Sequence, residues 1–168
     1  DATQVAADPR FALFYPERRP FFVEGSDQFN VPNTLVYTRR IVQPNAALKL
    51  TGRLGRANLA VLSALDAPPG ANDREKPLVD VLRLTRDFSV QSQSGFVYSE
   101  RVSPARTNRM AGADVRHVFG GMYYASAQFA TSTTRAGSAR QSGALWEAVV
   151  DRTGRAWGFH YNLIGIQP

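Results

Sequence analysis

From residue 46 to the end of the chain, apolar and polar residues alternate in segments covering 46–54, 57–65, 79–86, 94–101, 112–119, 123–131, 144–151 and 156–166. A period of two fits most of these segments, and the three- and four-residue spacing of an amphipathic helix fits none of them well. Each is close to the ~9–11 residues that a tilted strand uses to cross a bilayer. The pattern therefore predicts a row of antiparallel strands with one apolar and one polar face. Segment 57–65 departs from it: Leu59, Val61 and Leu65 share one face, but Leu62 and two alanines occupy the other.

The connections sort by length. Short links at 54–56, 87–93, 120–121 and 152–154 alternate with longer polar ones at 66–77, 102–110 and 132–143. The tips Gly55, Ser89, Gly120 and Gly154 lie 34, 31 and 34 residues apart, so the unit is a repeated hairpin with short turns at one end and long loops at the other. Membrane β-barrels have that asymmetry. The polar parity carries both signs of charge: Lys49 and Arg53, Arg83, Asp114 and Arg116, Glu147 and Asp151, and His160. The apolar parity carries aromatic residues near the segment ends, with Tyr123, Phe129, Trp146, Trp157, Phe159, Tyr161 and Tyr98 among them. The expected fold is all-β: an antiparallel up-and-down transmembrane β-barrel, incomplete and of at least eight strands. A soluble antiparallel sheet with one solvated face accounts for each strand equally well; the sorted loops and aromatic ends favour the barrel.

Residues 1–45 lack the rhythm. The stretch FYPERRPFFVEGSD (14–27) cannot run through as a regular helix, because Pro20 would break one in its middle, and its prolines suit no central strand. It is also too apolar for an ordinary solvated loop. Irregular backbone of this kind is tolerated inside a barrel, so the segment is expected to line or plug the lumen. That placement predicts Arg18 and Arg19 paired to carboxylates and Phe21 and Phe22 buried. With Glu24, these arginines join Lys49, Arg53, Arg83, Asp114, Arg116, Glu147 and His160 as the candidate lumen or ligand residues.

Composition narrows the chemistry. The net charge is +6, but the arginines are scattered rather than gathered in a stripe, which argues against nucleic acid. There is no cysteine, and the two histidines, His117 and His160, leave little material for metal or acid–base work. No run of ~18 apolar residues offers a helical span, which says nothing against membrane strands. No nucleophile elbow, phosphate loop or paired-histidine zinc motif is present. Gly52 and Gly55 read as a tight turn, and SGFVYSE (94–100) lacks the basic opening of an RNA-recognition strand. Of the carboxylates Glu100, Asp114, Glu147 and Asp151, a glycosidase-like pair is one reading. Cross-strand pairing with Arg53, Arg83 and Arg116 is the favoured one. No catalytic residue, cofactor or metal is expected.

The stretches FYPERRPFFVEGSDQF, VYTRRI, ALKLTGRLG, VLRLTRDF, NRMAGADVRHVFG and RAWGFHYNLIGI together resemble a bacterial family. In it, a family-nine-type carbohydrate-binding module precedes an outer-membrane barrel domain of unknown function. The resemblance implies a bacterial outer-membrane location, contact with outer-membrane lipid and a barrel of more strands than this chain supplies. It supplies no catalytic residues. The chain, which starts at Asp1 without Met, is accordingly read as a piece of a longer protein. Its expected role is binding or passage of a solute, with saccharide as the candidate, alone or with other chains of a larger envelope assembly. The competing readings are a soluble β-sandwich that binds carbohydrate, and part of a carbohydrate-active enzyme using Glu147 or Asp151.

Overall fold

The computed structural model describes residues 17–33, 35, 36, 38, 41, 44–66 and 76–167. Eight strands follow one another as β1 (Pro44–Leu54), β2 (Ala57–Asp66), β3 (Leu78–Ser89), β4 (Ser92–Val102), β5 (Arg106–Phe119), β6 (Tyr123–Ala136), β7 (Ala139–Arg152) and β8 (Phe159–Gln167). They form one sheet in sequential order, every neighbour antiparallel. The sheet is not closed: β1 and β8 are its edges and do not pair with each other among the described residues.

The register carries the side-chain alternation from strand to strand. Thr51 pairs with Ala60, Ala60 with Arg83, Arg83 with Val97, Val97 with Gly112, Gly112 with Ala130 and Ala130 with Leu145. Because side chains alternate with period two, this places Lys49, Arg53, Arg83, Asp114, Arg116, Gln128, Glu147, Asp151 and His160 on one face. Leu50, Val61, Leu82, Leu84, Phe96, Ala113, Phe129, Trp146 and Leu163 fall on the other.

Two of the three long loops are not loops. Within 102–110 only Ser103–Ala105 lie outside the strands, and within 132–143 only Gly137 and Ser138. The polar residues there extend the hairpins, so β5, β6 and β7 reach 14 residues each. Ser, Thr and Arg on both faces erase the alternation, but the backbone ladder does not depend on it. Gly137, at φ +58, takes the first position of the β6–β7 turn, where a side chain would be strained. The segment 66–77 falls largely outside the described residues.

Pro20 does not break a helix; it begins one. A single turn, α1 (Pro20–Val23), has proline at its first position, where the missing N–H costs nothing and φ is already helical. A 3₁₀ turn at Ser26–Phe29 follows, and Asn30 and Val31 beyond it are extended or irregular. This segment lies across the polar face of the sheet. Phe22, Phe29 and Ile41 pack with Ala60, Leu62, Ala64 and Val81, while Val31, Leu35 and Val36 pack against Val97, Met110 and Ala130. The mismatch in β2 is thereby explained: Ala60, Leu62 and Ala64 are apolar because the cover sits on them. Burying a phenylalanine such as Phe22 or Phe29 contributes roughly 1.5–3 kcal/mol, so the cover is held by packing as well as by polar contacts.

Candidate functional site

The covered face is built around a buried ion pair. Arg83 of β3 reaches across β4 to Asp114 of β5, with Nη1 donating to Oδ2 at 2.5 Å and Nη2 to Oδ1 at 2.9 Å. Both side chains are almost fully withdrawn from solvent, at 1% and 2% exposure. The reach is possible because Gly95 lies beneath: a Cβ there would stand 2.5 Å from the guanidinium. The bidentate fork makes two hydrogen bonds, but Arg83 Nε finds no partner among the described residues. Nearer the short turns, Arg53 of β1 pairs with Asp87 of β3 at 3.0 Å in a more exposed position. At the opposite end Arg101 approaches the buried Asp66 at 3.5 Å.

Polar clasps fasten the cover to this face. Asn33 donates its backbone N–H and its Nδ2 to Gln128 Oε1 at 2.8 and 2.7 Å, and Nδ2 also reaches Glu147 Oε2 at 2.6 Å. Glu147 Oε1 accepts from Asn162 at 3.0 Å, linking the cover to β6, β7 and β8 together. At the other side of the sheet, Lys49 Nζ donates to the carbonyls of Phe21 and Glu24 and lies 5.0 Å from the Phe21 ring. Within the cover, Arg19 forks onto Glu17 at 2.8 and 2.9 Å and donates to the carbonyls of Ile41 and Thr38. Hydrogen bonding to Arg19 is the largest cause that lowers the Glu17 carboxyl to about 2, opposed in part by burial. Arg19 also sits 4.2 Å over the Phe22 ring.

The expected placements are met unevenly. Arg19 is paired and Phe22 buried. Arg18 is exposed, with no ion pair for its guanidinium among the described residues, and Phe21 is 39% exposed. One-turn α1 turns Phe21 and Phe22 in different directions, their rings edge-on at 5.1 Å, so only Phe22 faces the sheet. Glu24 contributes its backbone carbonyl to Lys49, and its side chain is not part of a pair among the described residues. Arg116 lies 5.7 Å over the Tyr124 ring, and His160 meets Asp151 at 3.2 Å on the exposed end of β7 and β8.

Each of the four carboxylates singled out in the sequence is engaged by other side chains. Glu100 lies on the opposite face from the other three, bound to Arg109 and Tyr98. Asp114 is taken by Arg83, Glu147 by Asn33 and Asn162, and Asp151 by Thr153 and His160. A crevice of about 90 Å³ beside Phe22, Phe29, Val36 and Leu62 is well below the ~300–1,000 Å³ of sites that enclose larger ligands. Among the described residues no three His, Asp or Glu side chains are grouped to hold a metal. Sequence reasoning does not single out Asn33, and it places Gln128 and Asn162 on the polar face without naming them as candidate site residues. Their signal was weak, because amides alternate onto a polar face in any solvated sheet.

The uncovered face is the apolar one. Leu48, Leu50, Leu54, Phe129, Trp146, Tyr161 and Leu163 are all exposed, Leu54 at 87%. At the short-turn end rings meet in succession: Phe88 is tilted against His117 at 5.7 Å, and His117 stacks on Phe119 at 5.2 Å and Phe119 on Tyr123 at 5.2 Å. His117 Nδ1 lies 3.1 Å from Ser92 Oγ, which fixes the ring in this row. Arg152 lies 3.4 Å over Trp157 and 5.6 Å over Tyr123, and the row continues through Phe159 to Tyr161. Trp157 precedes β8 instead of lying within it. No helix of the described residues is long and apolar enough to cross a membrane. No family model, curated protein or solved structure matches the chain.

Proposed function

We propose that this chain is a section of the wall of a bacterial outer-membrane β-barrel, with residues 17–41 docked in the lumen, and that the protein binds or passes a solute. The observation that carries this reading is the inverted distribution of polarity. A water-soluble sheet buries its apolar face beneath whatever packs on it. Here the covering segment sits on the face that holds the ion pairs and amides, packing on Leu62, Val81, Val97 and Met110, while Leu48, Leu50, Leu54, Phe129, Trp146 and Leu163 on the other face stay exposed. A contiguous apolar surface of that size calls for a partner, and lipid fits a face that spans eight strands.

The outward face carries aromatic residues at the short-turn end of several strands: Phe88 in β3, Phe119 in β5, Tyr123 in β6 and Phe159 in β8. The stacked rings of His117, Phe119, Tyr123 and Phe159 then form an interfacial girdle.

An eight-stranded barrel has an interior just wide enough for its own side chains. A main-chain segment carrying Phe22, Phe29 and Val36 needs a wider lumen, so closure requires further strands at the open edges β1 and β8. The resemblance of FYPERRPFFVEGSDQF and the later stretches to the outer-membrane family supports the location. The mixed-charge, amide-rich covered face suits hydrated solutes, with saccharide as the candidate. In membranes the protein should show heat-dependent gel migration, and deletion of residues 17–41 should raise single-channel conductance in planar bilayers. A protein that is monomeric in detergent-free buffer, or conductance unchanged by the deletion, would overturn this function.

A further inference from the structure

The β6–β7 hairpin ends in a feature the wall itself does not need. Arg135 and Arg140 are directly opposed in the register, on the same apolar-parity face, and both are exposed. Like charges facing each other across a strand pair are destabilising unless something anionic sits between them. Two other arginines at this end are neutralised within the protein, Arg109 by Glu100 and Arg101 by Asp66. Arg135 and Arg140 have no carboxylate partner among the described residues. Hydroxyl groups surround the pair. Thr107 is the register neighbour of Arg135, and one row inward Thr133 and Ser142 are opposed with their oxygens 3.2 Å apart. The next rows toward the short turns hold Ala111, Thr131 and Ala144, then Ala113, Phe129 and Trp146, where the apolar band begins.

We infer that Arg135 and Arg140, with Thr107, Thr133 and Ser142, form a binding site for the phosphate of a phosphorylated lipid headgroup whose acyl chains lie on the band below. The inference rests on the barrel reading. Two guanidinium forks over a ring of hydroxyl donors match phosphate oxygens, which accept bidentate bonds that a zwitterionic amine would weaken. The distance also suits an amphiphile. Arg140 and Trp146 are six residues apart on one strand, roughly 20 Å at the rise of a β-strand, which is the depth of an acyl chain rather than of a headgroup. Free phosphate would use the arginines but gain nothing from the band, so the lipid is the chosen occupant.

The chain contains two tryptophans, and Trp146 is the one on the band beneath the pair. In a Trp157→Phe background, the protein is reconstituted into vesicles carrying brominated acyl chains, on phosphatidic acid in one series and phosphatidylcholine in the other. Quenching of Trp146 by both series is the expected sign of lipid contact. Quenching should be stronger for the phosphatidic acid series, by roughly twenty-five-fold in apparent affinity, since each of the two surface arginines contributes on the order of fivefold. The R135Q/R140Q variant should lose most of that preference while keeping the phosphatidylcholine quenching. Millimolar inorganic phosphate should not displace the lipid. Absence of quenching by either series would refute the barrel reading itself. Equal quenching by both in the parent protein, a preference retained in R135Q/R140Q, or displacement by inorganic phosphate would refute the lipid site alone.

Discussion

Removing the carboxylate of Asp114 leaves the Arg83 guanidinium charged, 1% exposed and without its two bonds at 2.5 and 2.9 Å. Its Nε is also without a partner among the described residues. Breaking a buried pair from one side costs about 3–5 kcal/mol, whereas replacing both members with apolar residues of similar volume is neutral or stabilising by about 1–4 kcal/mol. Asp114→Ala should therefore lower the unfolding free energy by about 3–5 kcal/mol. The double variant Arg83→Met, Asp114→Leu should stay within about 1 kcal/mol of the parent or exceed it. The assay is urea unfolding of the lipid-reconstituted protein followed by tryptophan fluorescence, with m-values compared to confirm that the same transition is read. Gly95 supplies an independent arm. A methyl placed 2.5 Å from the guanidinium must displace it, so Gly95→Ala should cost about 1–3 kcal/mol with Arg83 present and clearly less in an Arg83→Ala, Asp114→Ala background. A loss under about 1 kcal/mol for Asp114→Ala, or strictly additive effects of Gly95→Ala, would refute the claim that this pair is buried and strung across Gly95.

Two further tests address the cover and the open face. Glu17 is held well below the usual carboxylate range, at about 2, chiefly by hydrogen bonding to Arg19. A lowered folded-state value means the stabilisation is complete above pH ~4.5 and is lost as the pH falls toward 2. Protease cleavage within residues 17–41 should rise across that window in the parent, and Glu17→Gln should show raised, pH-flat cleavage; a parent profile matching Glu17→Gln would remove the role assigned to this pair. On the open face, Phe129→Arg should cost about 2–4 kcal/mol if that position meets the middle of a bilayer. Measured by unfolding from vesicles, a cost near zero would place Phe129 in water instead.

The period of two was written in the sequence from residue 46 onward, and it determined both the strand class and which side chains share a face. Lys49, Arg83, Asp114 and Glu147 fall together for the simple reason that a strand has only two faces and the hairpin register preserves parity. The misfit of Ala60, Leu62 and Ala64 was legible too, although its meaning was not. It marks where Phe22, Phe29 and Ile41 land, a contact that no local pattern encodes. The polar hairpin tips looked like loops because alternation vanishes when both faces are polar, yet backbone pairing persists there without it. Pro20 was legible as punctuation but not as a beginning, since the same ring that breaks a helix interior fits its first position. The clasp of Asn33 on Gln128 and Glu147 joins residues 95 and 114 apart in the chain, and only the tertiary structure decided it. A hydrogen bond at that separation depends on where the cover comes to rest. That in turn depends on the packing of a few apolar side chains against several strands of the sheet, not on any spacing along the chain.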